Sequence, residues 1–223
     1  MGAVVAGATG LVGSALLDHL AARHVPTTAI ARRPGEPRLG VLWKCTSLGD
    51  LLPVEIPQGT DVAFCALGTT IKNVGGSQVE FRRVDHELVL AFAAACHQAG
   101  VQNFVCVSAA GADPGSRIFY NRVKGEMERD LRDLRFPSLS LLRPGLLLGD
   151  RRERRRLERA MVVTTRALRP VLPGLLKGAE AVEVARAMIA CAEEGRAGVR
   201  VVDNGEIRRL GRMASSAPLP SVA

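Results

Sequence analysis

The sequence predicts an α/β protein built on a doubly wound parallel sheet, with a small C-terminal lid or flank. Short apolar runs alternate along the chain with amphipathic helical segments. Such alternation is typical of right-handed βαβ units, whose helices cover both faces of a parallel sheet. The 223 residues suit one domain, and 47% hydrophobic with 23% charged residues can supply a sizeable core.

Each predicted strand is a short apolar run, and each predicted helix carries an apolar face. The strands are predicted over 3–7, 27–31, 40–45, 61–67, 101–108, 138–144 and 198–204. The helices are predicted over 11–23, over 78–98, from near Tyr120 onward, and over 181–195. In the second helix, the apolar face is marked by Val84, Leu88, Ala91 and Ala95.

The alternation changes in segment 145–178, which contains the basic run "RRERRR" at 151–156 and a stretch rich in proline and glycine. We expect this segment to form a substrate lid beside the sheet. The domain is predicted to span residues 1–212, and residues 213–223 to form a disordered tail.

Composition limits the classes of partner. The net charge of +8 indicates either nucleic acid or a phosphate-rich nucleotide cofactor, but aromatic residues are only 4% of the chain and none interrupts "RRERRR". We therefore interpret that run as a solvated helix face and expect no nucleic-acid partner. Five scattered cysteines without a CxxC motif, and no apolar stretch of about 18 residues, predict a cytoplasmic protein without a membrane segment or a metal site.

The glycines of "GATGLVG" carry the first functional signal. Gly7, Gly10 and Gly13 lie between the first predicted strand and the first helix. A tight turn at this place lets the backbone approach a pyrophosphate at a helix N-terminus. The alternative is a packing turn of small residues without a ligand. The position favours dinucleotide binding and hence a Rossmann fold.

The end of the second predicted strand indicates which dinucleotide binds. NAD sites place an acidic residue here to accept from the ribose 2′-hydroxyl. This chain has Arg32 and Arg33 instead, within "IARRPG". Two guanidinium groups suit a 2′-phosphate, so NADP(H) is favoured over NAD(H), the alternative being a solvated basic turn.

Tyr120 and Lys124 are four residues apart in a predicted helix, which places both on one face. With these motifs, the chain resembles the short-chain dehydrogenase/reductase superfamily, specifically the compact atypical branch that includes the HIV Tat-interactive oxidoreductase and its bacterial relatives. The matching stretches include "GATGLVGSALL", "ARRP", "CALGTT", the long segment from "FRRVDHELVL" to "YNRVKGEMERDL", and "LLRPGLLLGDRRERR". They span most of residues 1–160.

The resemblance implies a residue-level assignment. The implied cofactor contacts are Thr9, Gly10, Leu11, Val12, Arg32, Arg33, Leu67, Gly68, Tyr120, Lys124, Leu147 and Arg155. In this family the tyrosine is the general acid/base, while the lysine holds the nicotinamide ribose and lowers the tyrosine pKa. The superfamily also uses a hydroxyl after the fifth strand; here Ser108 is present, and Ala109 follows where relatives often have serine.

The resemblance thus implies an NADP(H)-dependent oxidoreductase that acts on a small carbonyl or alcohol, as a monomer or homodimer. An alternative is an NADP(H)-binding regulatory module with little turnover, which contacts a protein partner through the C-terminal flank. A nucleotide-sugar epimerase is a third interpretation, although the chain lacks the larger C-terminal portion that such enzymes usually carry.

Overall fold

A computed structural model of the chain describes residues 2–46, 55–145, 147–148 and 179–216. Its strands are β1 (Ala3–Ala6), β2 (Thr27–Ala31), β3 (Val41–Cys45), β4 (Val62–Cys65), β5 (Asn103–Val107), β6 (Ser138–Leu142), β7 (Leu147–Leu148), β8 (Ala179–Glu180) and β9 (Gly198–Val202). Seven of them form one sheet in the order β3-β2-β1-β4-β5-β6-β9, and every neighbouring pair is parallel. The predicted doubly wound parallel sheet is confirmed.

Helices cover both faces of this sheet. They are α1 (Leu11–Ala22), α2 (Gln78–Arg82), α3 (Leu88–Gln98), α4 (Phe119–Asp133), α5 (Ala181–Glu194) and α6 (Asn204–Ser216). Helix α6 has no counterpart among the predicted helices, and it continues to Ser216, past the domain boundary predicted at residue 212. None of the helices in the described ranges is long and apolar enough to cross a membrane.

Successive side chains of the strands belong alternately to two separate hydrophobic cores. Val5 of β1 and Phe64 of β4 belong to the core beneath α1 and α5. Val4 and Cys65, their neighbours in the chain, belong to the core beneath α3 and α4. This division follows from the two-residue period of a strand, and it explains why the strands are apolar without alternation.

The predicted helix over 78–98 is interrupted by a π turn at Arg83–Glu87, between α2 and α3. The extra residue of a π turn shifts the face that the following residues present. Asp85 is consequently fully buried, while Val84, Ala91 and Ala95 are only partly buried. Leu88 is buried in the core beneath α3 and α4, and Val84 and Ala95 pack against that core. The predicted apolar face is therefore confirmed at these three positions, while Ala91 is not among the residues of the core.

The strand order reverses beside β1, which lies between β2 and β4. Connections leave β1 and β4 toward opposite faces, so a crevice opens at the carboxyl ends of these strands. The phosphate turn, Arg32 and Gly68 all follow strands that end at this crevice. Arg155 and the 151–156 run lie outside the described residues, and Leu147 is described only as part of β7, which pairs with β8.

Candidate nucleotide-binding and active site

Two of the three motif glycines are required by the packing of the protein itself. Gly7 has a φ of +76°, and a Cβ there would lie 2.4 Å from the carbonyl oxygen of Ala66. A Cβ on Gly13 would lie 2.1 Å from the carbonyl oxygen of Gly7. The turn therefore lies close against the chain that follows β4, and α1 lies close against the turn, so a side chain at either position forces the backbone apart.

Gly10 is different, because the fold imposes a weaker demand on it. Its φ of −78° suits any residue. A Cβ would meet only the carbonyl oxygen of Gly7, at 3.3 Å, among atoms within contact range. Gly10 lines the open cleft at the end of the sheet. An added methyl group there would occupy space from which a ligand could reach the backbone.

The N-terminus of α1 faces this turn with free donors. A helix leaves its first N–H groups without intrahelical partners, and the N-cap residue of α1, Gly10, has no side chain that could accept from them. Leu11 has an exposed side chain and Val12 a buried one. Any contact of these two residues with a phosphate would therefore be made by the backbone, where the helix dipole favours an anion.

The cleft has a volume of about 490 Å³ and runs across the carboxyl ends of β1, β2 and β4. The predicted residues that line it are Gly7, Thr9, Gly10, Arg32, Leu67 and Gly68. Arg33 is exposed and is not among the lining residues. The opposite wall adds residues that the sequence did not single out, namely Thr69, Asn73, Glu80 and Arg83.

Tyr120 and Lys124 lie on α4, beyond the Gly68 end of this cleft. The Tyr120 ring packs on Phe81, with ring centroids 5.3 Å apart, and Phe81 also contacts Phe119. Lys124 is buried, and a Cβ built on Gly68 would lie 3.8 Å from its Nζ. Gly68 thus lines the cleft and contacts the Lys124 site, so it connects the two predicted halves of the site.

Lys124 has a buried partner. Its Nζ lies 2.7 Å from Oδ1 of Asp85, and both side chains are almost completely excluded from solvent. The other carboxylate oxygen of Asp85 accepts a hydrogen bond of 2.8 Å from the backbone N–H of Thr69. Asp85 therefore joins three elements: the π turn, helix α4 and the loop after β4.

This partner changes the electrostatics of the tyrosine. Burial raises the pKa of Tyr120, Lys124 opposes that increase, and Asp85 adds to it. Burial alone would lower the pKa of Lys124, but the Asp85 carboxylate raises it above its ordinary value. Lys124 thus acts on the pKa of Tyr120 in the direction that the resemblance implies, but burial outweighs it, and the net pKa of the phenol lies above its ordinary value.

Ser108 follows β5, but its hydroxyl group donates to Oε1 of Glu128 at 2.6 Å. Glu128 is fully buried on α4, one turn beyond Lys124, and also accepts two hydrogen bonds from Arg143, of 2.8 and 2.6 Å, and one from Arg132. Ala109 is buried and has no hydroxyl group. Ser108 after β5 and Arg143 after β6 thus hold α4 against the sheet through Glu128.

The fold and this cleft define a dinucleotide-binding protein of the Rossmann type. A family model described as NAD(P)H-binding matches residues 7–165, which is more than half of the chain. The chain therefore belongs to this NAD(P)H-binding family.

Curated relatives agree with this assignment. "Protein FMP52, mitochondrial" of Eremothecium gossypii is 40% identical over 163 residues, covering 68% of this chain and 68% of that protein. Protein HTATIP2 of Rattus norvegicus is 45% identical over 98 residues, covering 44% of this chain and 40% of that protein. The prediction of a cytoplasmic protein is contradicted, since the relatives that share two thirds of the chain are named mitochondrial.

Solved structures show the same fold. MoeE5 in complex with UDP-glucose and NAD has a TM-score of 0.72 at 20% identity, over 98% of this chain and 84% of that one. Human epimerase family protein SDR39U1 with NADPH has a TM-score of 0.63 at 19% identity, over 96% and 80%. Identities this low extend the likeness to the fold alone.

Proposed function

We propose that this protein is an NADP(H)-dependent oxidoreductase acting on a small carbonyl or alcohol, with Tyr120 as general acid/base. The observation that carries the proposal is the continuity of the site. The cleft is lined both by the phosphate turn and by Gly68, and Gly68 adjoins the buried ammonium group of Lys124.

The residues present fit a dinucleotide. Gly10 provides a cradle that a Cβ would fill, and the N-terminus of α1 provides uncapped donors for a pyrophosphate. Arg32 lies in the cleft wall, where it would meet the adenosine ribose and its phosphate. Lys124 has three donors and gives one side of its ammonium group to Asp85, so donors remain for ribose hydroxyls.

The chemistry assigned to the chain is a proton transfer. A bound nicotinamide cofactor supplies or takes up the hydride. Tyr120, kept neutral by its raised pKa, would donate a proton to a carbonyl oxygen and become a tyrosinate. In the reverse direction, the tyrosinate form would accept a proton from an alcohol. A catalytic role for Ser108 remains a prediction, since its hydroxyl group would have to exchange Glu128 for the substrate oxygen.

The cofactor preference can be tested with two neighbouring arginines. Arg32→Ala should weaken NADPH binding by about 10- to 100-fold, the effect of one charge-assisted contact, and leave NADH binding nearly unchanged. Arg33→Ala is the matched control and should have the smaller effect, because of these two neighbouring arginines only Arg32 lines the cleft. Fluorescence titration measures both affinities. Equal affinity of the unmodified protein for NADPH and NADH would refute the 2′-phosphate assignment.

Gly10 tests whether the glycine turn binds a ligand. Gly10→Ala should weaken binding of both cofactors by at least about 10-fold, since the methyl group fills the space in front of the backbone, while thermal stability changes little. Gly13→Ala should instead lower the unfolding free energy by about 1–3 kcal/mol, because its methyl group would overlap the Gly7 carbonyl. Unchanged affinity in a folded Gly10→Ala variant would favour the packing interpretation of the turn.

A second candidate is a regulatory NADP(H)-binding module. The observation that favours it is the missing hydroxyl group: Ala109 has none, and Ser108 donates to Glu128. Such a module would bind NADPH with the same arginine dependence but oxidise none of it in a screen of small aldehydes and ketones. NADPH binding with turnover of any of these carbonyls would favour the oxidoreductase.

A further inference from the structure

We propose that Asp85 is a positioning residue of this site: its buried carboxylate fixes the ammonium group of Lys124 and ties it to the loop after β4. The inference deepens the proposed function, because it assigns a role to a residue that contacts neither cofactor nor substrate in the proposed arrangement. It starts from the π turn, a rare element that concentrates at functional sites.

The two carboxylate oxygens of Asp85 contact different partners. Oδ1 lies 2.7 Å from Lys124 Nζ, and Oδ2 accepts from Thr69 N–H at 2.8 Å. Gly68, which lines the cleft, lies between them: a Cβ built there would be 3.3 Å from Oδ1 and 3.8 Å from Nζ. One carboxylate therefore sets both the position of the lysine and that of the backbone that forms the cleft wall.

Burial makes this arrangement demanding. Neither side chain of the pair is exposed by more than 4%. A buried ion pair contributes little net stability, and the removal of one partner leaves an uncompensated charge. Such a pair is therefore better explained by the geometry that it imposes than by the stability that it adds, and here it imposes the location of a cation beneath the tyrosine.

The titratable groups close to Tyr120 and Lys124 come from four elements. Lys124 acts on Tyr120 from the same helix, and Asp85 acts from the π turn. Cys106 of β5 acts on Lys124, and Cys65 of β4 lies within range of both Lys124 and Asp85. Asp85 is the only carboxylate among these groups in the described part of the chain, so its replacement removes the negative charge that opposes the lysine.

The experiment uses the single tyrosine of the chain, since Tyr120 alone gives the ultraviolet absorbance of tyrosinate on alkaline titration. In Asp85→Asn, the amide oxygen can still accept from Thr69, but the buried ammonium group of Lys124 loses the carboxylate that holds its proton. Burial then lowers the pKa of Lys124, so the lysine is neutral where the phenol titrates and the tyrosinate midpoint should rise. In Lys124→Met, which removes the cation and leaves Asp85 alone with the phenol, the midpoint should rise as well.

Asp130→Asn is the charge-matched control, because Asp130 is an ion-paired carboxylate on α4 that contacts Arg129 and His86. Its tyrosinate midpoint should match that of the unmodified protein, and circular dichroism establishes that each variant is folded. Asp85→Asn should also weaken NADPH binding about 10-fold, with partial recovery in Asp85→Glu. A tyrosinate midpoint that stays in place or falls in either the Asp85→Asn or the Lys124→Met variant would overturn the proposal.

If Asp85→Asn does not fold, the Lys124→Met midpoint still decides, since an unmoved midpoint there excludes the coupling. The titration requires neither cofactor nor substrate. A protein that turns over no carbonyl can therefore still show the rise in both variants, and an active oxidoreductase can fail to show it, so the two proposals are tested separately.

Discussion

Tyr120→Phe is expected to lower carbonyl turnover by about 10²- to 10⁴-fold, the usual contribution of a general acid/base, with little change in NADPH affinity. Phenylalanine retains the ring that packs on Phe81 and removes only the phenolic hydroxyl group. Single-turnover oxidation of NADPH, with the carbonyl identified in the screen, measures the loss. The proposed acid/base role would not survive undiminished turnover in this variant.

Phe119→Leu is the control for this experiment. Phe119 precedes Tyr120 and contacts the same ring of Phe81, with centroids 5.8 Å apart, but it has no proton to transfer. Its replacement should disturb the aromatic packing while turnover stays within a few-fold of the unmodified protein. A loss as large as that of Tyr120→Phe would show that the effect arises from packing.

Glu128→Ala is expected to produce the largest loss of stability, about 3–5 kcal/mol in the free energy of unfolding, because it removes a fully buried carboxylate and leaves the buried Ser108 and the half-buried Arg143 without their acceptor. The carboxylate receives Ser108 from the end of β5 and Arg143 from the end of β6. Its loss therefore releases α4, the helix that carries Tyr120 and Lys124, from two strands. Urea denaturation monitored by circular dichroism measures the change.

The control lies on the same helix. Glu126 pairs with Arg82 near the surface, and Glu126→Ala should cost about 1 kcal/mol or less, as surface pairs do. Glu128→Gln should fall between the two, since the amide can still accept from Ser108 but carries no charge for Arg143. Equal losses for Glu128→Ala and Glu126→Ala would show that the buried cluster does not hold α4.

The site was predictable where local sequence sets local structure. Gly7, Gly10 and Gly13 lie in a strand–turn–helix. Most of the predicted cofactor contacts between residues 7 and 68 line the cleft, namely Gly7, Thr9, Gly10, Arg32, Leu67 and Gly68. Leu11, Val12, Gly13 and Arg33 are not among the lining residues. The lining residues directly follow strands, and the carboxyl ends of parallel strands meet at one edge of a sheet. The order of strands and helices therefore places them together without knowledge of any long-range contact.

Asp85 could not be recognised in the same way. Its burial depends on the π turn, and no residue of "RVDHE" predicts such a turn. Its partner Lys124 lies 39 positions further along the chain. The sequence did contain a weak signal, an acidic residue on an otherwise apolar helical face. Likewise, the hydroxyl group of Ser108 could be expected at the end of β5, but its direction depends on Glu128 and Arg143, which come from other elements.

The sequence by itself determined the parallel sheet, the glycine turn and the i,i+4 pair of Tyr120 and Lys124, because these follow from the periods of strands and helices and from glycine sterics. Only the tertiary structure decided the electrostatics of that pair. Burial and the Asp85 carboxylate raise the pKa of Tyr120 against the effect of Lys124. Desolvation and ion pairing depend on groups that are distant in sequence and adjacent only after folding.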